Sequence, residues 1–166
     1  MEEYTEWREH LKLISFPGWD DLPLIDLYMD QLVEYVNSVI KPLELPEVTS
    51  TMVNNYVKKK VLPAPIKKKY QTIHIADLLV ISLMKPVFSL EEVRAAIDVI
   101  TANDYPKAAY NRFVDSLLTR LQGPTEKEEL APAADDLANR LMQDAASIVY
   151  QKMESEKLLA LMQAKQ

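Results

Sequence analysis

The sequence predicts a mainly α-helical protein, and three of its features support that prediction. Apolar residues recur three and four positions apart along nearly every segment, which is the spacing of amphipathic helices. Prolines and a Pro-Gly pair divide these segments into pieces of helical length. Only one stretch, 61–70, has extended character, because it contains two prolines. At 166 residues and 48% hydrophobic, the chain is long enough to bury a core.

The first hundred residues predict five helices whose ends are marked by proline or by capping residues. Pro42 and Pro86 end the helices that precede them. Thr49 is a suitable N-cap for the third helix. Ser89 and Glu92 in "SLEE" form a capping box that starts the fifth. The predicted helices cover about 4–14, 24–40, 49–60, 72–85 and 89–100, with a small β-hairpin or wing at 61–70.

Two further helices are predicted in the rest of the chain. One starts at Pro106 and ends at Gly123-Pro124. The other runs from Pro132 to about 163 and keeps no strict heptad register. The sequence therefore predicts an all-α appendage to the first five helices.

The composition excludes several classes of function. Without cysteine the chain has no disulfide, no thiolate metal site and no cysteine nucleophile. Two glycines cannot build a glycine-rich phosphate loop. His10 and His74 lie in no ligand pattern, so we expect structural roles for them and no metal or cofactor. We predict a protein that is not an enzyme. We also expect a cytoplasmic location, because no apolar run approaches the roughly 20 residues of a membrane span and the N-terminus lacks the order of a signal peptide.

Positive charge is concentrated in "TSTMVNNYVKKKVLPAPIKKKY", residues 49–70. This stretch holds six lysines and no acidic residue, although the whole chain has a net charge of −6. The other 144 residues carry 13 basic and 25 acidic side chains, a net of −12. A basic island on an acidic body indicates a defined surface for a polyanion.

The helix at 49–60 has one apolar and one polar face. Successive residues lie 100° apart around a helix, which puts Met52, Val53, Tyr56 and Val57 together on one side. Asparagine is a weak helix former, and it can both donate to and accept from adenine in the major groove. Lysines would contact phosphates instead. The predicted DNA-contacting residues are Thr51, Asn54, Asn55, Lys58 and Lys59 of the helix and Lys67, Lys68 and Lys69 of the wing.

The phrases "YVKKKVLPAP", "KKKYQTIHIADLLVI" and "VFSLEEV" resemble the winged helix-turn-helix DNA-binding domain of MerR-type regulators. "LPLIDLYMDQLVEYVN" followed by "MVNNYVKKKVLPAPIKKKY" also resembles a family of small Firmicutes proteins catalogued as a domain of unknown function and thought to carry this winged helix. The closer family tends to have glycine where this chain has Lys60. If Lys60 takes a left-handed conformation, we expect a strain of roughly 1 kcal/mol there.

The resemblance implies a transcriptional regulator that binds double-stranded DNA, with a recognition helix at 50–60 and a basic wing at 63–70. The predicted domains are an N-terminal helix (1–15), a MerR-like winged helix with a minimal β-wing (16–101) and a helical region (102–166) that forms a homodimer through its C-terminal helices.

Two alternatives remain open from the sequence. The winged helix is also compatible with a protein-interaction or scaffold module that binds an acidic partner and no DNA. An effector pocket in the region 102–166, with Tyr105, Tyr110, Phe113 and Tyr150 in its lining, is the other alternative.

Overall fold

A computed structural model describes residues 1–102, 104–123 and 137–164, and within these ranges the chain forms seven α-helices. Two short 3₁₀ turns, Trp19–Asp21 and Lys41–Leu43, lie before and after the second helix. No β-strand occurs in these ranges, only two single β-bridges. The prediction of a mainly α-helical protein is therefore confirmed. The helices are α1 (Glu2–Lys12), α2 (Met29–Ile40), α3 (Ser50–Lys58), α4 (Thr72–Met84), α5 (Leu90–Ala102), α6 (Pro106–Gln122) and α7 (Leu137–Gln163).

The chain divides into two compact units, of which one comprises residues 17–111. Within this unit α4 is the central helix, and it packs against α2 and α5, while α3 packs against α2. Ile75, Leu78, Leu79 and Ile81 of α4 are fully buried. Each such aliphatic side chain contributes roughly 1.5–3 kcal/mol through its removal from water. This core holds α3 and the loop after it in place.

The other unit comprises residues 1–16 and 112–166, and in it α1 packs against α7. The Tyr4 hydroxyl of α1 donates to Glu154 of α7, and the Arg8 guanidinium lies 5.3 Å from the centre of the Tyr150 ring. The buried face of α7 repeats at three and four residues and ends at Met153. The predicted domains 1–15, 16–101 and 102–166 stay a prediction.

The second helix begins later than its spacing predicts. The prediction of a helix from residue 24 was wrong by about one turn, since α2 begins at Met29. Leu27 instead forms a backbone bridge with Tyr70, whose N–H and C=O pair with its own at 2.7 and 2.8 Å. The predicted start of the last helix, Pro132, lies outside the described residues, where the helix is seen from Leu137 onward. None of the described helices is long and apolar enough to cross a membrane.

Candidate nucleic-acid interface

Helix α3 has the two faces that its sequence predicts. Val53 and Tyr56 are buried. The Thr49 side chain caps the helix by accepting a hydrogen bond from the Met52 N–H at 3.2 Å, which satisfies one of the free N–H groups of the first turn. The predicted contact residues of this helix and its C-cap, Thr51, Asn54, Asn55, Lys58 and Lys59, are all exposed.

The end of α3 is a Schellman motif closed by a lysine. The Lys60 N–H donates to the Val57 carbonyl at 3.0 Å, and the Val61 N–H donates to the Tyr56 carbonyl at 2.9 Å. In this motif the residue after the cap adopts the left-handed conformation and is usually glycine. Lys60 occupies that position with φ 60°, so the expected left-handed conformation is present. The motif turns the chain sharply out of α3 into the wing.

The predicted wing contains no pair of β-strands, and its tip is a tight turn of residues 66–69. Ile66 and Lys69 exchange both backbone hydrogen bonds, at 2.9 and 3.0 Å. Between them Lys67 and Lys68 have φ values of 50° and 64°. Positive φ at both central residues defines a type I′ turn, whose twist suits a two-residue hairpin loop. The turn presents two adjacent, exposed lysines at its tip.

The base of the wing is fixed by backbone pairing and by a histidine. Tyr70 is buried and pairs with Leu27, and its burial raises the pKa of the phenol. His74 of α4 accepts a hydrogen bond from the Gln71 N–H at its Nδ1, at 2.9 Å, and its Nε2 lies 2.9 Å from the Ala64 carbonyl. These two contacts fit a neutral ring with the proton on Nε2. His74 therefore ties the proline stretch of the wing to the central helix.

Two contacts between lysines and aromatic rings add to the site, and the sequence reading missed both. The Lys69 amine lies 5.2 Å from the centre of the Tyr28 ring, and the Lys85 amine lies 5.5 Å from that of Tyr56. Both distances are within the range of a cation–π interaction. Lys85, at the end of α4, thus adds a cation beside α3. Each contact joins residues distant in sequence, so helical spacing gives no signal for either.

Arg94 of α5 connects three parts of this unit. Its guanidinium donates to Asp77 of α4 at 2.9 Å, to Asp98 at 2.8 Å and to the Val61 carbonyl at 3.2 Å. Burial raises the pKa of Asp77, while the hydrogen bond and charge of Arg94 act in the opposite direction. Arg94 thus holds the start of the wing against α4 and α5.

The lysines of residues 49–70, the basic segment, differ from several other lysines in having no acidic partner. Lys12, Lys107 and Lys152 each form an ion pair, at 2.6 to 2.8 Å. Within the described part of the chain none of the basic-segment lysines forms one. Unneutralised cations on one segment leave a positive potential for an anionic partner. The lysines concerned are Lys58, Lys59, Lys60, Lys67, Lys68 and Lys69.

The aromatic residues of the alternative pocket have varied environments. Tyr105 is 82% exposed, whereas Tyr110 and Phe113 are buried. Tyr110 donates its hydroxyl proton to the Pro17 carbonyl at 2.8 Å, and burial raises its pKa. Tyr150 is half-buried beneath Arg8. Across the described ranges no group of three or more His, Asp or Glu side chains is arranged to hold a metal ion.

Comparison with known proteins gives one family. A family model described as a domain of unknown function, DUF1836, matches residues 17–113. The matched range contains α3, the wing and the central helix α4. No curated protein and no solved structure matches the chain.

Proposed function

The chain belongs to the DUF1836 family, and we propose that it is a double-stranded DNA-binding protein that acts as a transcriptional regulator. Its helices α2 to α5 would form a MerR-like winged helix, with α3 as the recognition helix and residues 63–70, which include the 66–69 turn, as the wing. Such a role implies a location with the DNA, which in bacteria is the cytoplasm. The observation that carries the proposal is an exposed asparagine and lysine surface whose cations have no acidic partners.

The polar face of α3 supports base recognition. Asn54 and Asn55 are exposed in the middle of a helix, although alanine or lysine would favour the helix more. An asparagine amide matches the donor and acceptor pair of adenine in the major groove. Lys58 and Lys59 at the end of the same helix would reach the phosphates on either side and fix the register.

The wing supports backbone contact beside the recognition helix. Residues 49–70 form one continuous segment, held by Arg94 at Val61 and by His74 at Ala64. A second contact held by the same core would extend the phosphate footprint beyond what one short helix provides. The two parts would then bind as one surface.

The C-terminal helices would supply a homodimer interface. Beyond Met153, the last buried residue of α7, Leu158, Leu159 and Met162 are exposed. Apolar residues at the end of a long helix suit helix pairing with a second copy. Two protomers would present two recognition helices to two half-sites, which doubles the contacts.

The first test is a salt titration of duplex binding. Fluorescence anisotropy with a random duplex is expected to show affinity that falls with salt, with a slope near −4 per half-site from four or five lysine contacts at about −0.9 each. The triple reversal Lys67→Glu/Lys68→Glu/Lys69→Glu should abolish binding at low salt. A control variant, Arg120→Glu/Arg140→Glu, reverses two exposed charges in the other unit and should retain duplex binding. Affinity without salt dependence, or binding of an acidic protein but no duplex, would refute the proposal.

The second test addresses sequence recognition. Selection from a random duplex library with the wild type is expected to enrich a short motif containing adenine. Asn54→Ala/Asn55→Ala should keep the salt slope but lose about 1–3 kcal/mol of discrimination for each adenine contact. Because alanine favours the helix, the variant should be at least as stable as the wild type. Enrichment of the same motif by both proteins would contradict the assignment of α3.

A further inference from the structure

The turn at the tip of the wing is built from residues that do not favour it. A type I′ turn requires positive φ at both central positions and strongly prefers Asn-Gly, Asp-Gly or Gly-Gly. This chain places Lys67 and Lys68 there, at φ 50° and 64°. Lysine carries a Cβ that crowds the backbone in the left-handed region. The turn is therefore less stable than a turn of the same geometry with asparagine and glycine at these two positions.

The two side chains provide no visible compensation within the fold. Lys67 and Lys68 are exposed, and within the ranges the structure describes neither makes a hydrogen bond, an ion pair or a ring contact. The turn is closed by backbone groups of Ile66 and Lys69, which any residue except proline supplies. Residues other than glycine that are held in the left-handed region cluster at functional positions.

The third lysine of the wing has a different environment. The Lys69 amine lies over the Tyr28 ring, and the side chain is half-buried. Lys69 also pairs through its backbone with Ile66. It therefore joins the wing to the residues before α2, and its charge is less available than those of Lys67 and Lys68.

We propose that Lys67 and Lys68 form a preorganised contact for the phosphodiester backbone of duplex DNA, kept at a cost to stability, while Lys69 positions the turn. The inference deepens the proposed function and rests on it. The backbone pairing of Ile66 and Lys69 fixes the adjacent positions from which both exposed side chains extend before binding, so less loop freedom is lost when phosphates are bound. The wing then contributes two of the phosphate contacts of each half-site.

The test replaces the tip with the residues that the turn prefers. Lys67→Asn/Lys68→Gly should raise the melting temperature of the full chain, because Asn-Gly fits a type I′ turn. The same variant should bind a duplex less tightly, with a salt slope shallower by about 1.8, which is two contacts at about 0.9 each. If both proteins bind alike at about 1 M salt, that slope corresponds to roughly a 60-fold loss at about 0.1 M.

Three comparisons make the result decisive. Arg120→Gln/Arg140→Gln removes the same number of charges at exposed positions of the other unit and should leave the slope unchanged. Lys69→Gln should lower the melting temperature and change the slope less than the tip variant does. Heparin, a polyanion without duplex geometry, is titrated in parallel and should bind the wild type more weakly than duplex DNA does.

The outcomes separate this inference from the proposed function. If the wild type binds duplex DNA and the tip variant binds it with the same slope, the role of Lys67 and Lys68 is refuted while the proposed function stands. A melting temperature that falls in the tip variant would refute the stability cost. If the tip variant loses as much affinity for heparin as for duplex DNA, duplex DNA is refuted as the specific partner of Lys67 and Lys68. If the wild type binds no duplex at all, both proposals fail.

Discussion

Replacing His74 with phenylalanine is expected to lower the free energy of unfolding by about 1.5 to 4.5 kcal/mol. Phenylalanine keeps the ring and its edge-on contact with Tyr70, whose centre is 5.5 Å away, but removes both nitrogens. The half-buried Gln71 N–H then loses its partner, which costs roughly 1–3 kcal/mol. The Ala64 carbonyl belongs to an exposed residue, so water replaces its contact and the loss is only about 0.5–1.5 kcal/mol.

Urea unfolding followed by circular dichroism measures the total, and amide hydrogen exchange at Ile66 and Lys69 reports the wing itself. Both amides should exchange faster in the variant, because the proline stretch before the turn is no longer tied to α4. His10→Phe makes the same chemical change at an exposed position, where water replaces any contact that is lost, and should cost less stability than His74→Phe. A loss below about 1 kcal/mol, with unchanged exchange at the wing, would refute this account of His74.

Three further predictions concern the capping residues of α3 and the largely buried carboxyl group of Asp77. Lys60→Gly should stabilise the protein by about 1 kcal/mol, because glycine accepts the left-handed conformation. Lys59→Gly removes the same charge at φ −80° and should destabilise the protein by about 0.5–1 kcal/mol. Urea unfolding of both variants therefore separates the effect of conformation from that of charge. Thr49→Ala should cost about 1 kcal/mol through loss of the cap, and Thr49→Ser should restore most of it. Burial raises the pKa of Asp77 above 3.8, so the folded chain binds a proton more tightly than the unfolded chain. The wild type should therefore lose stability relative to Asp77→Asn as the pH rises from about 4 to about 7, and a constant difference in urea unfolding would contradict this.

The sequence predicted those features of the fold that depend on neighbouring residues. The cap at Thr49 forms its predicted hydrogen bond. The Ser89 hydroxyl accepts a hydrogen bond from the Glu92 N–H at 3.1 Å, which is one of the two hydrogen bonds of the predicted capping box. Both are interactions across three residues, so the pattern contains all the information needed. The division of α3 into a buried and an exposed face follows equally from helical spacing.

Features that depend on distant residues were not predictable in this way. Residues 24–28 have helical spacing, yet Leu27 pairs with Tyr70 and delays the start of α2. The Lys67-Lys68 turn carries none of the glycine or asparagine signals that identify a type I′ turn. The position of Lys85 beside Tyr56 depends on how α4 packs in the unit. For the start of α2 and for Lys85 a tertiary contact determines the geometry, and local spacing does not contain it. The turn is closed by local backbone pairing, but its residues do not follow the preference of its type.

The Leu27 and Tyr70 pairing also limits how the basic stretch can be studied in isolation. Leu27, which precedes α2, forms the backbone bridge to Tyr70 at the end of this stretch. A synthetic peptide of residues 49–70 would therefore have the six lysines but not the tertiary contacts that orient them. Such a peptide should adhere to polyanions through charge alone, much as a flexible polylysine does, and should show little of the selectivity we expect from the intact protein. Comparing the two would measure how much recognition comes from architecture rather than from composition.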